Sequence, residues 1–188
     1  MINKILLALF ITLVAACASL PDNTQQEPSY ALDKANTMDT RLATVVMKRE
    51  QADMGKPGET GIHLLDSGHD AFVARAVLAQ KADKTLDVQY YLYHNDLSGK
   101  ILLAQLLDAA DRGVRVRLLV DDMDLARADI AGVMIDDHAN FEVRVWNPFI
   151  RGSSRTAQFV TRFGSVTRRM HNKTFTKHSS GKLLILFA

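Results

Sequence analysis

The sequence contains a single cysteine, Cys17, among its 188 residues, so no disulfide can form within the chain. It also lacks a Cys/His cluster, a Walker loop and a glycine-rich dinucleotide fingerprint, and we therefore expect neither a metal nor a cofactor. The hydrophobic fraction of 47% and the charged fraction of 23% are ordinary for a globular protein. The length suits one domain with a short leader.

Acidic residues are missing from the last part of the chain. Residues 151–188 contain eight Lys/Arg and no Asp or Glu, which leaves 15 of the 23 Lys/Arg and all 21 acids in the first 150 residues. A basic segment of this kind indicates an anionic partner, such as a phosphate group or an anionic lipid surface. The alternative is a basic face that contacts only water.

The N-terminus has the pattern of a targeting segment. Lys4 is followed by the apolar run 5–16, whose twelve residues are too few to span a bilayer and fit the core of a signal peptide. Small residues lead directly into Cys17, which resembles a bacterial lipoprotein signal with cleavage before Cys17 and lipid on its sulfur. The alternative is an ordinary secretory signal. Ala18 and Ser19 follow, not aspartate, and the resemblance to Gram-negative lipoproteins then favours the periplasmic face of the outer membrane.

Strand and helix patterns alternate along the chain after a polar tether. Residues 18–60 have the composition of a tether with one possible helix, and the folded domain is expected to start near Gly61. Ser67 and Asp70 have capping-box spacing, and Gly113 is expected to end a helix. The predicted strands are 61–65, 86–92, 114–120, 141–146 and 168–176, and the predicted helices are 38–53, 72–77, 102–110 and 125–135.

This alternation predicts an α/β fold with a mostly parallel sheet flanked by helices. Ligands of such sheets bind at the carboxyl ends of the strands. The candidate site is the pattern His171-Asn172-Lys173, which the predicted strand 168–176 would present with His171, Lys173 and Phe175 on one face. The imidazole and the ammonium would then be about 7 Å apart along the strand. That pair suits a phosphodiester, because the lysine can hold a phosphate oxygen while the imidazole attacks phosphorus.

Other polar residues allow two interpretations each. Asp121, Asp122 and Asp124 follow a strand and could bind a metal, although such a cluster more often caps the next helix and contacts solvent. His94 and Asp96 could lie at the edge of a site, but a helix cap at Asp96 is the simpler interpretation.

Several remaining residues are assigned structural roles. The tyrosines of one predicted strand are expected to pack in the sheet rather than to bind lipid, and three histidines show no ligand spacing. These residues are Tyr90, Tyr91, Tyr93, His63, His69 and His138.

Four stretches together resemble the phospholipase D superfamily and, within it, the bacterial cardiolipin synthases. They are 86–92 followed by Asp96 and Gly99, then 109–122, 143–149 and 168–173, and the resemblance covers roughly residues 60–176. It implies phosphatidyl transfer between phospholipids of the phosphatidylglycerol type through a phosphohistidine. His171 would be the nucleophile and Lys173 would hold the phosphate. The resemblance also implies that one active site is built from two such motifs.

The chain departs from the family after this motif. The family pattern is H-x-K-x₄-D, but the position of its aspartate is occupied by His178, and residues 177–188 resemble no part of the family. A second H-x-K is absent, so we expect a truncated chain that is incomplete at its C-terminus and impaired by itself. Three hypotheses follow: a phospholipase D-type enzyme, a non-catalytic lipoprotein fragment that binds anionic lipid, and a nuclease that completes its site by self-association.

Overall fold

The computed structural model describes residues 27–33, 35–52, 63–123, 137–150, 152–179 and 182–187, without the side chains of 178–179 and 182–187. Cys17, Asp124 and the predicted helix 125–135 lie outside the described residues. A 3₁₀ turn at Ala35–Thr37 precedes the first helix. The helices are α1 (Arg41–Gln51), α2 (Gly68–Gln80), α3 (Leu97–Asp111), α4 (Arg155–Thr161) and α5 (Phe163–Val166), and the strands are β1 (Thr85–Tyr90), β2 (Arg115–Asp121), β3 (Phe141–Trp146), β4 (Thr174–Ser179) and β5 (Lys182–Phe187). None of the described helices is long and apolar enough to cross a membrane.

The described strands form one sheet in the order β3-β2-β1-β4-β5. β1, β2 and β3 are parallel, whereas β4 pairs antiparallel with β1 and β5 pairs antiparallel with β4. The predicted α/β class is confirmed, with a parallel half and an antiparallel half. β4 is antiparallel because the chain leaves β3 at the carboxyl ends of the parallel strands and re-enters the sheet from the same edge.

The two faces of the sheet differ in chemistry. Helices α2 and α3 cover one face, where a cluster is formed by buried side chains such as Leu86, Val116, Leu106 and Phe175. On the other face Arg117 pairs with Asp87, and Arg144 pairs with Glu142. This charged face borders a cavity of about 380 Å³. Alternation along β1, β2 and β3 therefore separates an apolar face from a polar one.

Helix ends follow the sequence signals. Ser67 caps α2 by accepting from the Asp70 amide at 3.0 Å, and Asp96 caps α3 by accepting from the Gly99 amide at 2.8 Å. Gly113, with φ of +87°, follows α3 as the glycine signal predicts. A Cβ at Gly99 would lie 2.1 Å from the carbonyl oxygen of His94, so only glycine fits there.

One predicted strand is wrong, and the bounds of another differ from the prediction. Residues 63–66 belong to no regular element, and β4 begins only at Thr174 rather than at residue 168. The main chain before β4 bonds to side chains at the ends of β2 and β3, and this competes with strand pairing. Helices α4 and α5 were not predicted, because each is too short to show a clear period.

Part of the expected tether contacts the domain. The predicted helix 38–53 is confirmed as α1, whose Arg41 bonds to Asp83 just before β1. Ser29 accepts from Arg117 at 3.0 Å on the charged face of the sheet. Asp83 also accepts from Lys177, a buried lysine on β4. Burial lowers the pKa of Lys177, and the charge of Asp83 offsets part of that effect.

Candidate active site

His171 and Lys173 lie at the carboxyl ends of the parallel strands. β4 runs against β1 with Thr174 opposite Gln89, the second-last residue of β1, so the three residues before Thr174 stand at the carboxyl end of β1. The Asn172 side-chain nitrogen Nδ2 donates to the Gln89 side-chain oxygen at 3.2 Å and holds the segment there. His171 is exposed and Lys173 is half-buried. The H-x-K pattern therefore occupies the edge where ligands of such sheets bind.

The ring of Tyr91 brings the two side chains together. Tyr91 directly follows β1, and its ring stacks on His171 with centroids 4.3 Å apart and an interplanar angle of 28°. The Lys173 Nζ lies 6.0 Å from the centroid of the same ring. Because residues 171–173 are not in a strand, their proximity comes from this shared contact and not from the pleat expected from the sequence. Phe175, the third residue of the expected face, is buried in the core.

The three tyrosines near the end of β1 therefore have different roles. Tyr90 and Tyr93 pack edge to face at 5.4 Å, and the Tyr93 hydroxyl donates to the Gly99 carbonyl at 2.8 Å. Burial raises the pKa of both phenols. The packing interpretation is correct for these two residues and wrong for Tyr91. The available signal was the position of Tyr91 at the strand's carboxyl end, in the opposite phase from Tyr90.

A buried carboxylate anchors the main chain directly before His171. Asp121 ends β2, and its Oδ2 accepts from the Met170 amide at 3.0 Å. Its Oδ1 accepts from Arg169 Nη1 at 3.1 Å and from the Met123 amide at 2.8 Å. Arg169 also donates to the carbonyl of Asn147 at 2.9 Å, at the end of β3. The ends of β2 and β3 thus fix the segment that carries His171.

Asp122 belongs to a second network. Its Oδ2 accepts from the Phe149 amide at 2.6 Å, and Arg155 donates to its carbonyl oxygen at 3.0 Å. The Phe149 ring lies between two guanidinium groups, 4.7 Å from that of Arg155 and 4.3 Å from that of Arg169. Both aspartates are fully buried, so the expectation that they contact solvent is wrong, whereas the helix that they were expected to cap lies outside the described residues. Within the described residues, no three potential ligands are placed to hold a metal.

Most of the basic residues near the C-terminus already have partners. Arg155 and Arg169 serve the two aspartates, Arg162 donates to the Gln158 side chain at 3.1 Å, and Lys177 pairs with Asp83. Among the basic side chains described after residue 151, only those of Arg168 and Lys173 make no hydrogen bond or ion pair. In the described part of the acid-free run, the charge available to an anionic partner is therefore local to the H-x-K segment and does not form a uniform basic face.

The other polar residues considered as site candidates lie at the margin of the H-x-K site or elsewhere in the domain. Asp96 is the predicted helix cap, and the hydrogen bond from Gly99 lowers the pKa of its carboxyl group. His94 is exposed beside this cap, and His69 is exposed at the start of α2. His138 pairs with Asp111 at 3.0 Å.

Comparison with known proteins finds cardiolipin synthases among the relatives of this chain. Cardiolipin synthase C of Escherichia coli (strain K12) is 48% identical over 120 residues, which cover 64% of this chain and 25% of that protein. Over these residues the chain is similar to a cardiolipin synthase. This similarity agrees with the resemblance to bacterial cardiolipin synthases that the motifs indicated. The probable cardiolipin synthase YwiE of Bacillus subtilis (strain 168) is 30% identical over 82 residues, covering 42% of this chain and 16% of that protein.

Two further comparisons set the limits of the relationship. An uncharacterized protein of Helicobacter pylori (strain 26695) is 38% identical over 122 residues, covering 63% of this chain and 24% of that protein. The chain thus spans about a quarter of the length of its curated relatives. No protein-family model matches it. The structure of NucT from Helicobacter pylori aligns with a TM-score of 0.40 and 12% identity over 58% of this chain and 61% of NucT, too little to support an argument.

Proposed function

We propose that this chain carries one half of a phospholipase D-type site that transfers a phosphatidyl group between phospholipids. The observation that carries the proposal is the joint placement of His171 and Lys173 on Tyr91 at the carboxyl edge. The high identity to cardiolipin synthase C supports the same reaction class. The substrate is proposed to be a lipid of the phosphatidylglycerol type, and no cofactor is assigned.

The reaction divides into two displacements at phosphorus. A ring nitrogen of His171 attacks the phosphodiester, an N–P bond forms, and the P–O bond to the leaving alcohol breaks. Lys173 neutralises the charge that develops on the phosphate oxygens. The leaving alcohol must take a proton, and the acceptor hydroxyl must later lose one. The 188 residues contain no second H-x-K to perform that transfer, and His178 stands where the family has aspartate.

We propose that the second group comes from another motif, either in a longer chain or in a second copy. Because groups that act as a unit lose most of their rate when one is missing, the 188 residues alone are expected to be inactive. In that form the chain would at most bind anionic lipid, which is the non-catalytic alternative. A self-associating nuclease remains the third hypothesis, disfavoured because a lipid anchor places the domain beside lipid head groups.

The proposed location is the cell envelope, with Cys17 lipidated and the domain on the periplasmic face of the outer membrane. The proposed division is a signal over 1–17, a tether with one helix over 18–60, the phospholipase D-like half over 61–176 and a tail over 177–188. Radiolabelled palmitate should enter the wild-type chain and not the Cys17→Ala variant. Equal labelling of both chains would contradict the anchor.

The activity test uses labelled phosphatidylglycerol and measures cardiolipin. The 188-residue chain should form none, whereas a chain extended with the second half of a relative should form it. In the extended chain, His171→Ala should abolish the product and His69→Ala, an exposed histidine on α2, should not. An active extended chain that tolerates His171→Ala would refute the nucleophile. Turnover by the 188 residues that disappears in His171→Ala would show a working dimer instead of an inactive half.

A further inference from the structure

Of the 13 large apolar side chains that are exposed in the described part of the chain, five lie at the edge of the sheet that carries His171 and Lys173. We call these five the apolar rim: Leu92 (38% exposed), Leu97 (75%), Trp146 (48%), Val160 (79%) and Phe163 (67%). Single exposed apolar residues are ordinary, but a concentration of them around a candidate site indicates a contact surface.

The first part of the rim is fixed at the ends of β1 and β3. Leu92 follows β1 by two residues, and Trp146 is the last residue of β3. Leu97 opens α3, and Tyr93 ties that end of the helix to Tyr90, the last residue of β1. All three side chains therefore stand at the carboxyl ends of the parallel strands.

The second part of the rim lies on α4 and α5. Val160 is in α4, where Arg155 donates to the carbonyl oxygens of Asp122 and Met123 past the end of β2. Phe163 opens α5, and the Asn147 side chain after β3 donates to the Ser165 carbonyl at 2.7 Å. These bonds hold both short helices against the same edge, so Val160 and Phe163 border the site from the other side.

The charged side chains that the structure describes at this edge complement an anionic surface. Asp121 and Asp122 are buried, and the Asp96 carboxylate accepts from Gly99 at the start of α3. The side chains of Arg168 and Lys173, in contrast, have no hydrogen bond or ion pair within the described part of the chain. The edge therefore combines apolar side chains with two available cations, and apolar area with cationic charge is what attracts a protein to an anionic bilayer.

We propose that the apolar rim docks the domain onto the surface of a phospholipid bilayer, separately from any lipid on Cys17. Rim side chains enter the boundary between head groups and acyl chains, while Arg168 and Lys173 face the head groups. This places His171 at the depth of the lipid phosphates without extracting the lipid. The inference rests on the proposed function in taking a phospholipid as the substrate, and it adds the surface that meets the membrane.

The single tryptophan makes the proposal testable in the full chain, because Trp146 belongs to the rim. The chain is reconstituted with vesicles of phosphatidylcholine and phosphatidylglycerol, and the vesicle fraction is collected by flotation. Docking predicts a blue-shifted Trp146 emission that is quenched by brominated acyl chains. The Val160→Ser/Phe163→Ser double variant should float through its N-terminus but lose the quenching.

Val45→Ser is the matched control. Val45 is exposed on α1, which attaches through Arg41 to Asp83 before β1, at the opposite edge of the sheet, so its quenching should equal that of the wild type. Wild-type Trp146 that floats but stays unquenched would overturn the proposal, as would a double variant that keeps the quenching or a wild-type chain that does not float.

A second copy of the chain is the other possible occupant of the rim. A blue shift that depends on protein concentration without vesicles would show that occupant and overturn docking to lipid. Failure of the docking proposal can be distinguished from failure of the proposed function, because the quenching measurement does not depend on turnover. A docked chain whose extended form makes no cardiolipin would contradict the reaction and leave the docking intact.

Discussion

Asp121→Asn tests whether the buried carboxylate at the end of β2 positions the H-x-K segment. Asp121 and Arg169 form an ion pair whose side chains are 0% and 6% exposed. The asparagine side chain keeps one acceptor oxygen, but an NH₂ group replaces the other oxygen. At least one of the three groups that donate to Asp121 in the wild type would therefore face a donor instead of an acceptor. Arg169, which already has one buried nitrogen without a partner, would lose its counter-charge.

The expected loss of stability is large for a substitution of equal size. Breaking a buried ion pair by removing one partner costs about 3–5 kcal/mol. For a chain of this length one kcal/mol corresponds to about 2–4 °C, so the melting temperature should fall by roughly 6–20 °C. The melt is followed by circular dichroism. Glu142→Gln is the matched control, since its pair with Arg144 is about one-third exposed and should contribute about 0–1 kcal/mol.

A local measurement separates positioning from general stability. The ring of Tyr91 should shift the imidazole proton resonances of His171 upfield, because the two rings are stacked. Below the melting temperature, Asp121→Asn should reduce that shift by releasing Met170 and the residue after it, whereas Glu142→Gln should not. A variant that melts with the wild type and keeps the His171 shift would refute the reasoning.

Three further predictions concern Tyr91, the cap of α3 and the edge of the sheet. Tyr91→Leu should abolish the upfield shift of the His171 resonances, whereas Tyr91→Phe should retain it; equal spectra would disprove the stack. The hydrogen bond from Gly99 lowers the pKa of Asp96 below its ordinary value of 3.8. The Asp96 carboxylate therefore stabilises the fold at pH values above 3.8, and this stabilisation is lost as the pH falls through the pKa of the folded state. Acid unfolding should therefore be less steep in Asp96→Ala, and identical pH profiles would count against the cap. Residues 61–188 expressed alone should be poorly soluble, because 183–187 is an uncharged strand at the end of the described sheet and such edges aggregate; a monodisperse monomer with a cooperative melt would contradict this.

Local patterns in the sequence determined much of the fold. Period-two alternation located β1, β2 and β3, and helical spacing with a capping residue located α2 and α3. The H-x-K pattern and its neighbouring stretches were sufficient to recognise the similarity to cardiolipin synthases. These features depend on residues only a few positions apart in the sequence. Over such distances, the geometry of a helix or strand fixes which side chains point to the same face.

Only the tertiary structure decided how the candidate site is assembled. Tyr91 meets His171 across 80 positions of sequence, and Asp121 meets Met170 across 49, because β4 returns antiparallel beside β1. The fold also pairs Arg155, Arg169 and Lys177 with buried or half-buried aspartates. In the described part of the basic run, Arg168 and Lys173 are therefore the cations that remain available to a ligand. Such contacts follow from which strand ends meet at one edge of the sheet, and no local period of the sequence carries that information.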